Sequence, residues 1–191
     1  RPKVSFSNST TFSSPFVTPK FQNTYGRKEG EFASWGEKLD NPSNYNPLDF
    51  FKTGFNVSNS VALSTGRETS QTHISAGAVN AGGIVPNNRY NRYNFTFRNS
   101  WDVVKDVLQL DFTLLYVKQN TKNGIGQGMF YNPLVPTYLF PPSDDINRYA
   151  VYEMFNAVRS FKTQNWPYGN MGLGIQNPSG MVIGTRLVPS P

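Results

Sequence analysis

The sequence predicts an all-β protein whose strands are antiparallel and follow one another up and down in chain order. Polar and apolar residues alternate in several short stretches, which is the period of two that a half-buried β-strand shows. Aromatic residues make up 15% of the 191 residues, a fraction too high for a disordered chain. Gly and Pro are abundant in the segments between the alternating stretches, where they indicate turns and loops.

The strand prediction is clearest near the middle of the chain. Tyr93, Phe95 and Phe97 alternate with polar residues, so one face of this strand is apolar and the other is polar. The next stretch repeats the pattern at even positions, among them Leu110 and Phe112. Weaker alternation predicts three earlier strands. The predicted strands lie near residues 3–14, 55–65, 71–81, 91–99 and 107–119.

The connections between these strands differ in length in a regular way. Residues 66–69 and 100–102 are predicted to be short turns, whereas residues 15–54 and 120–174 are predicted to be long loops. In an up-and-down order, the long loops leave one end of the sheet and both short turns lie at the other. This pattern is typical of an outer-membrane β-barrel, with lipid on the apolar face and a wet lumen on the polar face. A soluble β-sandwich has the same period of two, so both architectures stay open.

Composition excludes several classes of protein. The chain has no cysteine, so it can hold neither a disulfide nor a cysteine-ligated metal. Its longest continuous apolar run, residues 114–117, is far shorter than the roughly 20 residues that a membrane-spanning helix needs. The net charge of +6 is scattered along the chain, so we expect no nucleic acid among its partners. The chain begins Arg1-Pro2-Lys3 without an initiator Met, and we expect it to be an interior piece of a longer protein.

Three motifs that could carry chemistry have simpler explanations. The Gly-rich run at residues 124–128 lacks the strand and helix of a nucleotide site and is predicted to be a turn. Asp144 and Asp145 could bind Ca²⁺ or act in hydrolysis, but the N-cap of a short helix through residues 146–155 is favoured. His73 is expected to be a hydrogen-bonded residue on the polar side of a strand. We therefore expect no enzyme activity, catalytic residue, metal or cofactor.

The second long loop contains the candidate binding residues. Trp166 and Tyr168 have ring faces that can stack on sugars, and the Asn165 amide can hydrogen-bond hydroxyl groups. Arg148 and Tyr149 combine a fixed charge with another rigid ring. We predict that these five residues contact a substrate or a partner. Aromatic residues also pack loops together and form belts at membrane interfaces, and these roles are the alternatives.

Four short segments resemble a known family. In chain order they are residues 34–36 (Ser-Trp-Gly), 49–54 (Asp-Phe-Phe-Lys-Thr-Gly), 59–66 (Asn-Ser-Val-Ala-Leu-Ser-Thr-Gly) and 83–88 (Gly-Ile-Val-Pro-Asn-Asn), the last followed by Arg-Tyr-Asn-Phe at 92–95. In order and spacing they resemble the early barrel of the SusC/RagA family of TonB-dependent outer-membrane transporters. The resemblance runs from about Lys3 to Pro178, whereas residues 179–191 depart from the family's pattern and are expected to be a tail.

The resemblance implies a function. Such transporters close a barrel of about 22 strands around a plug, so five or six strands would be part of the wall and the plug would lie outside this chain. The implied activity is import of oligosaccharides, or alternatively of peptides, across the outer membrane of a Bacteroidetes-type bacterium. The implied partners are a SusD-like surface lipoprotein, the remaining barrel and plug, TonB through the plug, and outer-membrane lipid. The alternative is a soluble all-β carbohydrate-binding or adhesin module.

Overall fold

The computed structural model describes residues 1–28, 34–105, 107–124, 126, 128, 132–168 and 176–181. These residues fall into two compact units. The sheet unit comprises Arg1–Ser13, Thr53–Gly83 and Arg89–Lys122, and the loop unit comprises Ser14–Lys52, Ile84–Asn88 and Asn123–Pro191. The strands are β1 Lys3–Ser13, β2 Tyr25–Arg27, β3 Ser34–Lys38, β4 Gly54–Arg67, β5 Ser70–Gly82, β6 Arg89–Val104, β7 Leu108–Lys122, β8 Glu153–Asn156 and β9 Phe161–Gln164. The helices are α1 Leu134–Tyr138, α2 Pro178–Met181 and two 3₁₀ helices, Pro47–Phe50 and Ile146–Tyr149.

The sheet unit is a single antiparallel sheet with the strand order β1-β4-β5-β6-β7. This confirms the predicted all-β, antiparallel class. The five predicted strands correspond to these five strands, with bounds that differ by at most five residues. β1 ends one residue earlier than predicted and β7 begins one residue later, whereas β4, β5 and β6 are longer at both ends. The sheet is open, with β1 and β7 as its edges.

The two ends of the sheet carry different connections. At one end, which we call the turn end, a two-residue turn joins β4 to β5 and a short turn joins β6 to β7. At the other, the loop end, Ser13 pairs with Gly54 and Gly82 pairs with Arg89, which itself pairs with Lys122. The connections at residues 14–53 and 83–88 therefore both start and finish at the loop end, and the segment that follows Lys122 starts there.

The prediction of a turn at residues 100–102 is wrong. Ser100, Trp101 and Asp102 lie within β6, where Trp101 pairs with Leu110. The turn instead follows Val104, and the amide N–H of Val107 donates to the carbonyl oxygen of Val104 at 3.0 Å. Ser and Asp favour turns in general, but here the alternation of β6 continues past them because Trp101 shares the face of Phe97.

The register separates the side chains of the sheet into an apolar face and a polar face, because directly paired residues share a face. The apolar side chains that share the first face are Val4, Phe6, Phe12, Phe55, Val57, Val61, Leu63, Ile74, Ala76, Ala78, Tyr93, Phe95, Phe97, Trp101, Leu110, Phe112, Leu114 and Tyr116. The other face carries mainly hydroxyl, amide and charged groups, with Arg92, Asn94, Thr96 and Arg98 on β6. The prediction that the aromatic set of β6 and the apolar set of β7 share a face is confirmed by the register.

Polar residues on the apolar face bond to one another across strands. Asn8 Nδ2 donates to Asn59 Oδ1 at 2.6 Å, and Asn99 Nδ2 donates to Thr72 Oγ1 at 2.7 Å. Asn99 is 8% exposed, and its Oδ1 has no partner among the described residues. Pairing of this kind lowers the free-energy cost of keeping amides among apolar side chains.

No second layer packs on the apolar face within the described chain. The buried apolar residues, Val85, Phe140, Trp166 and Tyr168, all belong to the loop unit. On the sheet, by contrast, Phe112 is 51% exposed and Phe6 is 72% exposed. The sheet unit therefore holds together through its backbone ladders and cross-strand side-chain pairs, and not through a buried core.

The loop unit has more secondary structure than the sequence indicated. Residues 15–54 were predicted to lack regular structure, but β2 and β3 form a hairpin there, and β8 and β9 form another within residues 120–174. Asp145 caps the second 3₁₀ helix as predicted, with its Oδ1 accepting from the amide of Asn147 at 2.9 Å. That helix ends at Tyr149 and not near Phe155, which belongs to β8.

Some predictions lie outside the described residues. These are positions 125 and 127 of the Gly-rich turn and residues 182–191 of the tail. Of the helices that the structure describes, none has the length and apolar character needed to cross a membrane.

Candidate functional site

An aromatic cluster forms the core of the loop unit. Phe140, Trp166 and Tyr168 are each at most 2% exposed, and Tyr45 and Tyr149 pack against them. The Trp166 ring centroid lies 5.2 Å from that of Tyr168, 5.4 Å from that of Tyr149 and 6.0 Å from that of Phe140. Most of these ring pairs are edge-to-face, the arrangement in which the positive edge of one ring meets the negative face of another.

Asp144 is the polar centre of this cluster. Its Oδ2 accepts from the hydroxyl of Tyr149 at 2.6 Å and from the hydroxyl of Tyr168 at 2.5 Å. Its Oδ1 accepts from the backbone N–H of Asp145 and faces Arg148 Nη1 at 3.4 Å. The Asp144 side chain is 16% exposed, so these charge-assisted bonds are largely shielded from water.

The same contacts shift the pKa values of the groups involved. Burial alone would raise the pKa of Asp144, but the Tyr149 and Tyr168 hydroxyls, the Asp145 amide and the Arg148 charge together lower it below the ordinary value. Burial, followed by the bond to Asp144, raises the pKa of both Tyr149 and Tyr168. Asp144 is therefore ionised and the two tyrosines are neutral donors near neutral pH.

The structure brings the five predicted binding residues together around this cluster. Trp166 and Tyr168 are 1% and 2% exposed, as in the packing alternative. Other rings pack against both, and the Arg27 guanidinium lies over the Tyr168 ring at 5.5 Å from its centroid. Tyr149 is half-buried. Asn165 is used in part for structure, since its Nδ2 donates to the carbonyl oxygen of Val151 at 3.0 Å. The Arg148 side chain is 73% exposed, so of the five it is the one most available to a ligand.

Asn177 is a structural residue that the sequence analysis missed. It is fully buried, and its Nδ2 donates to the carbonyl oxygens of Tyr149 at 2.9 Å and Asn165 at 3.0 Å. Its Oδ1 accepts from the amide of Ser179 at 2.9 Å. The signal that could have found it is the Asn-Pro pair at 177–178, because this dipeptide starts turns in which the Asn side chain bonds to the backbone.

A cleft in the loop unit adjoins the cluster. Its volume is about 690 Å³, within the range of small-ligand sites. The lining combines the rings of Tyr45 and Phe50, the carboxylates of Asp49, Asp144 and Asp145, the ammonium of Lys52, and the amides of Asn44, Asn46, Asn87 and Asn147. With three carboxylates and one ammonium, the cleft has a net negative lining in a chain whose net charge is +6.

The groups of the cleft suit a polyhydroxylated ligand. Carboxylates accept and amides both donate and accept hydrogen bonds, and a sugar hydroxyl needs both kinds of partner. Some of these groups are already used by the fold: Asn46 Oδ1 caps the first 3₁₀ helix, and its Nδ2 donates to Asp49 Oδ1 at 3.3 Å. Burial, and then the charge of Asp49, raises the pKa of Tyr45, which therefore stays protonated and donates to the carbonyl oxygen of Thr137 at 2.8 Å. The Asn-rich run at residues 41–46 is the sequence signal for this cleft.

The polar face of the sheet has its own concavity near the turn end. His73 lies there, and its Nδ1 is 2.9 Å from Ser64 Oγ, so the expected hydrogen-bonded role of His73 is confirmed. Lys3, Arg98 and Asp111 also line this concavity. Its lining is mainly polar and charged but includes no nucleophile held by a neighbouring base and a third orienting group.

Metal binding finds no support in the part of the chain that the structure describes, where no group of three or more His, Cys, Asp or Glu side chains could hold an ion.

Comparison with known proteins adds no relative: no family model matches the chain, and no curated protein matches it.

Proposed function

We propose that this chain forms part of the wall of an outer-membrane importer of the SusC/RagA type. The observation that carries the proposal is the single-layer antiparallel sheet with an unpacked apolar face and a polar opposite face. A sheet in water must cover such a face to be stable, whereas in a bilayer the lipid chains cover it. The strands of 11 to 16 residues are long enough to cross a bilayer, which takes about 9–11 tilted residues.

The position of the apolar residues on successive strands supports a tilted wall. The apolar set of β1 is centred on Asn8, which stands in register with Tyr93 through β4 and β5. The apolar set of β7, which runs from Leu108 to Tyr116, is centred on Phe112, and Phe112 pairs with Asn99, six residues beyond Tyr93. Six residues are about 20 Å along a strand, and the four steps from β1 to β7 are about 19 Å across the sheet. The apolar band is therefore inclined at about 45° to the pairing direction, close to the strand tilt of membrane barrels.

The polar face suits a water-filled lumen. On β6 it carries Arg92, Asn94, Thr96 and Arg98, which would remain hydrated in a lumen. On β4 and β5 it carries small residues such as Ser58, Ser60 and Gly77. These two kinds of side chain are those expected of a wall that faces an aqueous pathway or a plug.

The other parts of the proposal follow from this orientation. The loop end is extracellular, because long connections in such proteins lie outside the cell. The substrate is an oligosaccharide, or alternatively a peptide, and it contacts the cleft of the loop unit beside Arg148. A SusD-like lipoprotein caps the loops, and TonB acts through a plug outside this chain. The protein is a transporter and not an enzyme.

The competing function is a soluble carbohydrate-binding or adhesin module. In that protein the apolar face would be covered by a second sheet and not by lipid. Because the chain has no cysteine, single cysteines can be introduced and spin-labelled without background. The experiment places labels one at a time at residues 110–117 of β7 and measures their collision rates with oxygen, which partitions into lipid, and with a water-soluble nickel complex.

The expected result in lipid vesicles is alternation. Labels at even positions such as Phe112 should collide with oxygen, and labels at odd positions such as Thr113 should collide with the nickel complex. Protection of the even positions from both reagents would show a protein layer over this face and would favour the soluble module. Collision of every label with the nickel complex would contradict both functions.

A further inference from the structure

Three cations lie together at the loop end of the apolar face. Arg89 on β6 is directly opposite Lys122 on β7, and Lys118 is opposite Tyr93. All three cations are exposed, and none takes part in an ion pair within the described chain. We call Arg89, Lys118 and Lys122 the basic triad.

The basic triad has no counter-charge on its own face. The carboxylates within the five strands are Asp102 and Asp111, and both lie on the polar face. Like charges directly opposite one another destabilise a strand pair, so the Arg89–Lys122 pair favours an anion from outside the sheet. The amides of Asn91 and Asn120, paired between Arg89 and Tyr93, add neutral donors beside the charges.

The heights of these residues match the headgroup layer of a bilayer. If the band centres define the midplane, Lys118 is six residues from Phe112 along β7, or about 14 Å above the midplane at a 45° tilt. Arg89 is eight residues from Phe97, the centre of the β6 set, which places it about 19 Å above the midplane. Lys122 is ten residues from Phe112, about 24 Å above the midplane. Headgroups occupy about 15–22 Å from the midplane, so the triad spans that layer.

The turn end of the apolar face is different. Within the five strands, the cation on that face near the turn end is Arg67, which is followed by Glu68 in the β4–β5 turn, and Lys105 lies in the β6–β7 turn. The charge asymmetry therefore distinguishes the two leaflets that the proposed wall would meet.

We propose that the basic triad binds the phosphate groups of anionic lipids in the leaflet at the loop end. This inference rests on the proposed function, because it requires the apolar face to lie in lipid. The occupant is a lipid headgroup and not free phosphate, because the triad continues the apolar band, which acyl chains would cover.

The test measures partition of the 191-residue chain from zwitterionic micelles into two kinds of vesicle. One kind is phosphatidylcholine alone, and the other contains phosphatidylglycerol as about a third of its lipid. Brominated acyl chains quench tryptophan, and Trp101 on the apolar face reports insertion when the exposed Trp35 is replaced by Phe in every variant, because Trp166 is buried. The test variant is R89Q/K118Q/K122Q. The matched control, K3Q/R92Q/R98Q, removes the same charge from the polar face.

Cations near an anionic surface each strengthen partition about fivefold, so at low salt the unaltered chain should prefer the anionic vesicles by about 100-fold. The test variant should lose most of this preference, and the control should keep it. Equal loss in both variants would show an effect of net charge and overturn the proposal, as would loss of the preference on adding inorganic phosphate at constant ionic strength. Absence of Trp101 quenching even in phosphatidylcholine vesicles would instead contradict the proposed function.

Discussion

Arginine in place of Phe112 is the sharpest energetic test of the apolar face. Phe112 is at the centre of the apolar set of β7, so in a bilayer it lies near the midplane. An arginine there costs about 2–4 kcal/mol. The substitution also removes the ring contact with Phe97, whose centroid is 6.0 Å away, worth about 0.5–1.5 kcal/mol. We therefore expect F112R to lower the free energy of unfolding by about 3–5 kcal/mol.

Two control substitutions separate the cost of placing a charge in lipid from the cost of losing the ring contact. F112L keeps an apolar side chain and loses the ring contact, so it should cost no more than about 1.5 kcal/mol. T113R places the same charge on the polar face opposite Arg98, where repulsion between exposed like charges should cost less than about 1 kcal/mol. The assay is urea unfolding of the chain in phosphatidylcholine vesicles, followed by far-ultraviolet circular dichroism. If F112R and T113R differ by less than about 1 kcal/mol, Phe112 does not face lipid.

Three further predictions concern the loop unit. The folded-state pKa of Asp144 is below its ordinary value of 3.8, so the stability that this carboxylate contributes is present above that pH and is lost as the pH falls through the lowered pKa. D144N should therefore be less stable than the unaltered chain at pH 7, and its stability should change less on acidification, as followed by near-ultraviolet dichroism. The control D40N, at an exposed residue, should match the unaltered chain. N177A removes two buried donor contacts and should cost about 2–3 kcal/mol in thermal unfolding; a loss below about 0.5 kcal/mol would contradict its structural role. G36A places a methyl group against the Arg27 carbonyl oxygen and should speed hydrogen exchange in the β2–β3 hairpin, with unchanged exchange counting against this contact.

The strands and their faces were predictable because alternation is a local signal. The alternation in the sequence shows which face of its strand each aromatic residue occupies, as for Phe95, Phe97 and Phe112. The register then follows from matching the apolar faces of neighbouring strands. The end of β6 was not predictable in the same way. Ser100 and Asp102 have the composition of a turn, and only pairing with β7 shows that they continue the strand.

The loop unit was less predictable because its contacts join distant parts of the chain. A single sequence shows that Trp166 and Tyr168 are aromatic, but their burial depends on Phe140 and Tyr45, which lie far away in sequence. The cap at Asp145 was predictable because it needs only the next two residues. The role of Asp144 was not, because two tyrosine hydroxyls reach it from 5 and 24 residues away.

The loop unit is assembled from three stretches that the strands of the sheet separate in the chain. The hydroxyl of Tyr45 bonds to the carbonyl oxygen of Thr137, 92 residues later. The β4–β5 and β6–β7 hairpins, by contrast, close over a few residues. Closing a long loop costs more chain entropy than closing a short one, so the hairpins should form first. Their formation brings residues 14–52, 84–88 and 123–168 near one another. Early aromatic residues of this unit such as Tyr45 therefore lack their partners until Phe140 and Trp166 have been brought to them, and during that interval their exposed rings favour aggregation.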